Sequence, residues 1–224
     1  MSLFGEIGEP SSRADFEDWD GPPSDKPKLQ WKTNSFVRPK IVDAVLIFEG
    51  EYLFHCIFAQ TKNNLKLKNT VEEIGLSLYK IILTNNYVFV VRDYDMPRTG
   101  EVVELIRYFL NESKEVLTLQ TRPLTEYQSP NPVCQSVIRT VSTTNVKSND
   151  LLYPALEQPN MLTGISAGVI SLREHLGLAG KTIVCYVSNP RRCLENDVQI
   201  MLEKLAIGPP SSPSSIDMDT NLYT

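Results

Sequence analysis

A serine between two glycines, Gly164-Ile165-Ser166-Ala167-Gly168, fits the G-x-S-x-G pattern in which a strained strand-to-helix turn exposes a nucleophilic hydroxyl. That chemistry needs a strand running straight into the turn, then an Asp and a His later in the chain to complete a triad. Neither requirement is met. Glu157-Gln158-Pro159-Asn160 precedes the motif, and the one His after Ser166 is His175, nine residues on with no Asp between. The glycines are therefore read as small residues that let a helix pack closely. An α/β hydrolase or nucleosidase-like enzyme with Ser166, His175 or Arg191 in its site is kept as an alternative reading.

Other reactive groups are scattered. Cys56, Cys134, Cys185 and Cys193 lie far apart, and His55 and His175 are the only histidines. With no Cys-x-x-Cys or His-x-x-x-His pair, no metal site is assigned. Cys56 and Cys185 sit in apolar runs, where a thiol packs as a small hydrophobe. No phosphate loop or dinucleotide fingerprint occurs, so no cofactor is assigned either. Glu72-Glu73 and Glu101/Glu104 read as solvated charges rather than an acid–base pair, so no catalytic residue is assigned. Arg191-Arg192, at the end of an expected buried strand, could meet an anion or an acidic partner.

The net charge of -5 and pI near 5.2 lack the basic footprint that nucleic-acid binding requires. No stretch approaches the roughly 20 apolar residues of a membrane span, and Met1-Ser2-Leu3-Phe4-Gly5-Glu6 is neither basic nor apolar enough for a signal peptide. The expected compartment is the cytoplasm, with a nuclear or ER-associated pool left open.

The chain ends on Leu222-Tyr223-Thr224, a hydrophobic residue, a tyrosine and any residue before the free carboxylate. An apolar side chain can fill a cleft, a phenol adds flat apolar area and one hydrogen bond, and a carboxylate can pair with a buried Lys. Residues 208 to 221 have the Pro- and Ser-rich composition of a linker. A tether of about 16 residues reaches roughly 50 Å, so the tip can find a pocket on a partner.

Elements must hold these groups. Ile41 to Phe48 and Tyr52 to Phe58, joined by Glu49-Gly50-Glu51, read as two strands, a hairpin or neighbours in the sheet, with His55 inside the second. Further strands are expected at Ile74 to Thr84, Tyr87 to Val91, Glu115 to Gln120 and Lys181 to Val187. Val102, Leu105, Ile106, Phe109 and Leu110 form one helical stripe, and Ile165, Val169, Leu172 and Leu176 another, with Thr163 as N-cap and Gly177 as stop. A last helix carries Val198, Met201, Leu202 and Leu205. The alternation predicts a layered α/β domain over residues 36–207, a mixed β-sheet with helices on both faces. It is flanked by a disordered acidic leader, residues 1–35, where Phe16 and Trp19 lie among acids, and by a flexible tail, residues 208–224. An adaptor working through the acidic leader is a further alternative.

Leu156-Glu157-Gln158-Pro159-Asn160, the following helix and strand ending Cys185-Tyr186-Val187, the terminal Asn221-Leu222-Tyr223-Thr224 and Phe4-Gly5-Glu6 together resemble the proteasome assembly chaperone 1 family. The resemblance implies a purine-phosphorylase-like α/β sandwich without catalytic residues. It also implies a heterodimer with proteasome assembly chaperone 2, ordering of proteasome α subunits into the ring of the 20S core particle, and protection against premature activators and aberrant ring dimers. By the same resemblance, Leu222, Tyr223 and Thr224 enter a pocket between neighbouring α subunits, the Thr224 carboxylate facing a pocket Lys.

Overall fold

The β-branched and aromatic run from Val42 to Glu49 forms β1, the strand on which the sheet is centred. A computed structural model describes residues 27–33, 38–60, 65–92, 94–129, 136–146, 153–189 and 200–201. Within them β1 is followed by α1 (Glu51–Gln60), β2 (Leu65–Val71), β3 (Leu76–Ile81), β4 (Tyr87–Val91), α2 (Thr99–Glu112), β5 (Ser113–Pro123), β6 (Val137–Ser142), α3 (Gly164–His175) and β7 (Gly180–Val187). The strands make one seven-stranded sheet in the order β2-β3-β4-β1-β5-β7-β6. β4, β1, β5 and β7 run parallel, and β2, β3 and β6 join antiparallel at the two edges.

Alternate residues of the parallel strands feed two cores. Val45, Ile47, Phe89, Val91 and Val116 pack beneath α2 and α3, against Val102, Ile106, Phe109, Ile165 and Val169. Phe48, Val88, Val90, Leu119, Ile183 and Cys185 pack on the opposite face, beneath Tyr52, Leu53, Cys56 and Ile57 of α1. Strands buried on both faces are what a parallel sheet covered by helices requires. Helices therefore cover both faces of a mixed sheet, as the alternation of elements predicts.

One expected element has the wrong type. Tyr52 to Phe58 is not a returning strand but part of α1, so β1 is not one arm of a hairpin. Its buried residues, Tyr52, Leu53, Cys56 and Ile57, follow helical spacing, whereas Phe58 is 60% exposed. Gly50, at φ 125°, turns the chain out of the sheet plane, and a Cβ there would stand 2.9 Å from Thr121 Oγ1. β1 can then leave its hairpin position free and pair with β4, in register from Val45↔Tyr87 to Glu49↔Val91. His55 is half-buried and lies edge-on to Phe54 at 5.6 Å.

β2 and β6 have no counterpart among the expected strands. β2 is an edge strand, and the chain there reads Leu65-Lys66-Leu67-Lys68, with the Lys residues solvated. Both edges are overlaid. The Lys32 N–H donates to the Thr70 carbonyl at 2.8 Å, and Asn69 brackets the Thr33 backbone through both amide atoms. At the other edge Thr140 N–H donates to the Pro154 carbonyl and its carbonyl accepts from Leu156 N–H. Residues 27–33 thus lie against the sheet with Leu29 buried, although they fall within the stretch expected to be leader. Of the expected last helix, Ile200 and Met201 are helical and Met201 is buried; its remainder lies outside the described residues.

Arg173 of α3 ties three elements together. It is fully buried, and its guanidinium donates to the carbonyls of Ala179 (3.0 Å), Ser113 (2.9 Å), Lys114 (3.1 Å) and Leu110. Leu110 is in the last turn of α2, whose carbonyls have no partners within the helix. Loss of water lowers the guanidinium pKa, and the carbonyls offset that loss. Arg173→Met should leave those carbonyls dry and cost about 3 kcal/mol in urea unfolding, with Arg173→Lys recovering less than half. An unchanged urea midpoint for Arg173→Met would refute this role.

Candidate functional site

β1 leads away toward β4 and β5 leads away toward β7, so the chain diverges above the β1–β5 boundary at the carboxyl ends of the strands. Open α/β sheets place ligand crevices at such a divergence. Register aligns Glu49 of β1, Gln120 of β5 and Val184 of β7 in one row there. All three are buried, on the face that carries α3.

Glu49 clasps the start of α3. Its carboxylate accepts from the Ser166 N–H at 3.1 Å, the Ser166 hydroxyl at 2.9 Å and the Tyr94 hydroxyl. The Tyr94 oxygen in turn accepts from the Ile165 N–H at 3.0 Å. Burial and the neighbouring carboxylate push the Tyr94 phenol pKa up, so it stays a donor. A carboxylate at a helix N-terminus also meets the positive end of the helix dipole. Gly164, at φ 76°, is the residue this approach requires, because a Cβ there would collide with both the Glu49 carboxylate and the Tyr94 oxygen. Thr163 occupies the N-cap position but makes no side-chain cap; distant Glu49 and Tyr94 do that work.

The enzyme-like residues are separated. Ser166 is fully buried with its hydroxyl committed to Glu49, which keeps it from acting as an exposed nucleophile. His175 is exposed at the far end of α3, and Arg191 lies outside the described residues. Glu72 pairs with Lys32, while Glu73 and Glu101 share Arg98 at 3.5 and 2.9 Å; Glu104 pairs with Arg107. Among the described residues no cluster of His, Cys, Asp and Glu is placed to hold a metal ion, and no helix is long and apolar enough to cross a membrane. Leu222, Tyr223 and Thr224 lie outside the described residues.

Beside the clasp a second polar group joins β6 to the segment before α3. Arg139 donates to Glu157 at 2.7 and 3.1 Å and to the Tyr127 hydroxyl at 2.8 Å, and Tyr127 donates to Glu157. Asn160 brackets the Gln128 backbone, accepting from its N–H and donating to its carbonyl, each at 2.8 Å. No spacing rule links Arg139 to Glu157 or Glu49 to Ser166. The charged Glu49 closing the apolar stretch Ala44 to Phe48 of β1 is the one signal that could have pointed to the clasp.

Among the solved structures that share this architecture are two crystal forms of one archaeal protein and a mycobacterial protein. Pyrococcus furiosus PbaA, described as an archaeal homolog of proteasome-assembly chaperone, aligns at TM-score 0.55 and 13% identity over 77% of this chain and 85% of its own. Its monoclinic form gives 0.56 at 13% identity over 80% and 82%. This chain therefore has the fold of an archaeal proteasome-assembly chaperone homologue. A Mycobacterium tuberculosis protein of unknown function aligns at 0.52 and 13% identity, covering 81% of this chain and 74% of that one. No family model and no curated protein matches the sequence.

Glu49→Gln should replace a charged acceptor by a neutral amide facing three donors, the Ser166 N–H, the Ser166 hydroxyl and the Tyr94 hydroxyl, and cost about 2 kcal/mol, a Tm drop of about 4–8 °C, with Ser166→Ala costing about half as much. An unshifted Tm would show that the clasp is not stabilising. Arg139 holds the Glu157 carboxyl at a pKa of about 2, against an ordinary value of 4.5. A depressed folded-state pKa gives stability that is present above about pH 4.5 and lost as pH falls toward 2. Because the pair is partly solvated, the contribution should be under about 1 kcal/mol. Denaturation between pH 5 and pH 2 should show a shallower acid-side loss in Arg139→Met than in the parent; equal slopes would count against the pairing.

Proposed function

We propose that this chain is a non-enzymatic, cytoplasmic proteasome-assembly chaperone of the proteasome assembly chaperone 1 type. In this reading it pairs with proteasome assembly chaperone 2, helps order α subunits into the ring of the 20S core particle, and holds off premature activators and aberrant ring dimers. The observation that carries the reading is the fold shared with the archaeal chaperone homologue across 85% of that chain. The resemblance at Leu156-Glu157-Gln158-Pro159-Asn160 and at the terminal Asn221-Leu222-Tyr223-Thr224 supports it from the sequence. The burial of Ser166 argues against the hydrolase alternative.

Leu222, Tyr223 and the Thr224 carboxylate are proposed to enter a pocket between neighbouring α subunits. One short tip binds weakly alone, but joined to a folded domain that touches the same ring it acts at an effective concentration around millimolar. Losing the tip should therefore weaken binding rather than abolish it.

Pull-down through an N-terminal tag, with Thr224 left free, should recover one small chaperone-like chain plus proteasome α subunits, read by mass spectrometry. Recovery without proteasome subunits would overturn the assembly role. Deleting residues 222–224 should raise the off-rate from α-ring intermediates about tenfold or more in a surface-binding assay. An unchanged off-rate would leave the domain reading intact and remove the tip from it.

A further inference from the structure

At the amino ends of β1 and β4, away from the clasp, lies an open basin of about 430 Å³. Four cations line it, Arg38, Lys40, Lys68 and Lys80, and no carboxylate does. Elsewhere in this chain of net charge -5, Arg98, Lys114, Arg122 and Arg139 each pair with an acid. None of the four basin cations is in an ion pair among the described residues. Two of them are held over rings: the Arg38 guanidinium stands 5.0 Å from the centre of Tyr108, and the Lys80 ammonium 5.9 Å from that of Tyr87. Register sets Lys66, Lys80 and Tyr87 directly opposite one another across β2, β3 and β4, so the three share one face of the sheet. Like charges so opposed repel. β3 is an inner strand, so blunting an exposed edge does not account for Lys80. The register shift between Leu67 and Asn69 leaves Lys68 without a partner residue on β3, an irregularity of the kind that re-aims a side chain.

The rest of the wall brings no negative charge. The Asn85 amide donates to the Asp43 carboxylate at 3.2 Å, and that carboxylate also accepts from Lys114 at 2.7 Å. The Pro39 carbonyl accepts from the Tyr108 hydroxyl at 2.6 Å. Burial and the neighbouring Tyr108 phenol push the Tyr87 pKa up, so Tyr87 stays neutral. Ile41, 59% exposed, adds an apolar surface.

We propose that this basin binds a ligand carrying two phosphoryl groups on a small ring, either a free sugar bisphosphate or the bisphosphorylated headgroup of a lipid. A phosphoryl group carries about -1.5 to -2 charges at neutral pH, so one leaves the four cations half met and two match them. Lys ammonium groups are compact point charges suited to phosphoryl oxygens, and the Arg38 guanidinium can meet two of those oxygens at once. The basin volume corresponds to about 14 waters at about 30 Å³ each, room for a ring with its two substituents. Ile41 and Pro39 offer the ring carbons an apolar wall. A long polyanion is disfavoured, because outside this basin it meets a chain of net negative charge.

The test titrates the full chain, by calorimetry at physiological salt, with fructose bisphosphate, inorganic phosphate, citrate and a glutamate-rich peptide. Fructose bisphosphate should bind at one site with a Kd of about 10–100 μM, and each of the other three should be weaker by about tenfold or more. Lys80→Met and Arg38→Gln should each weaken the bisphosphate by about tenfold or more. Arg38 is an exposed side chain, so its variant carries the test should Lys80→Met not fold. Co-sedimentation with phosphatidylcholine vesicles separates the two sources. Capture only when the vesicles carry phosphatidylinositol bisphosphate, reversed by fructose bisphosphate, assigns the site to a headgroup; binding of the soluble bisphosphate without capture assigns it to a free sugar. Citrate or phosphate binding as tightly as the bisphosphate would reduce the basin to unspecific charge, and tighter binding of the peptide would make it a contact for an acidic protein. Either result, bisphosphate binding untouched by both substitutions, or no bisphosphate binding in solution or on vesicles would overturn the proposal.

Discussion

A guanidinium with no access to water must have its N–H groups met inside the protein, and at Arg173 they are met by backbone carbonyls instead of a carboxylate. Those carbonyls belong to the last turn of α2, the first residues of β5 and the residue before β7. The end of a helix and the starts of two parallel strands are thereby held at fixed distances from α3. Gly180 sits against the Arg173 side chain, since a Cβ there would fall 3.3 Å from Arg173 Cβ. The amino ends of β5 and β7 are set by this one side chain, and their carboxyl ends, where Gln120 and Val184 stand, follow from it through strand register.

The periodic parts of the fold were legible in the chain. Of the α2 stripe, Val102, Ile106, Phe109 and Leu110 are buried as the spacing predicts and Leu105 is half-buried, and β4 and β7 fall where β-branched residues concentrate. Leu176 departs from the α3 stripe, being exposed beyond the last turn. α1 was illegible because a helix packed on a sheet by only one face, with Phe54 and Phe58 on its rim, reads locally like a continuous apolar strand. β6 was illegible because six residues including Arg139, Thr140 and Ser142 carry no alternation strong enough to register. Nothing local in the sequence reports that Ser166 meets a carboxylate from β1, since the two are 117 positions apart.

At the carboxyl ends of the parallel strands, the residues of the serine motif serve packing and hydrogen bonding. A glycine at the start of α3 would ordinarily leave room for a ligand to approach the helix amides. Here Gly164 leaves room for Glu49 and Tyr94, and the amides are spent on holding β1 to α3. What looks in sequence like a serine elbow is in space an internal joint. Such a joint ties β1 to α3 and leaves the Ser166 hydroxyl buried.

The overlays on the two outermost strands bear on how the protein behaves in company. A free strand edge recruits any other extended segment, from a nascent chain or from a second copy. Here the backbone near Lys32 and Thr33 occupies part of the β2 margin, and Pro154 to Leu156 occupies part of the β6 margin, with Ala155 bridging Thr140. Lateral zippering of one sheet onto the next is hindered at both flanks. Extended segments of other chains therefore find little free backbone to pair with along the described margins, and the helix-covered faces of the sheet are what remains for them to meet.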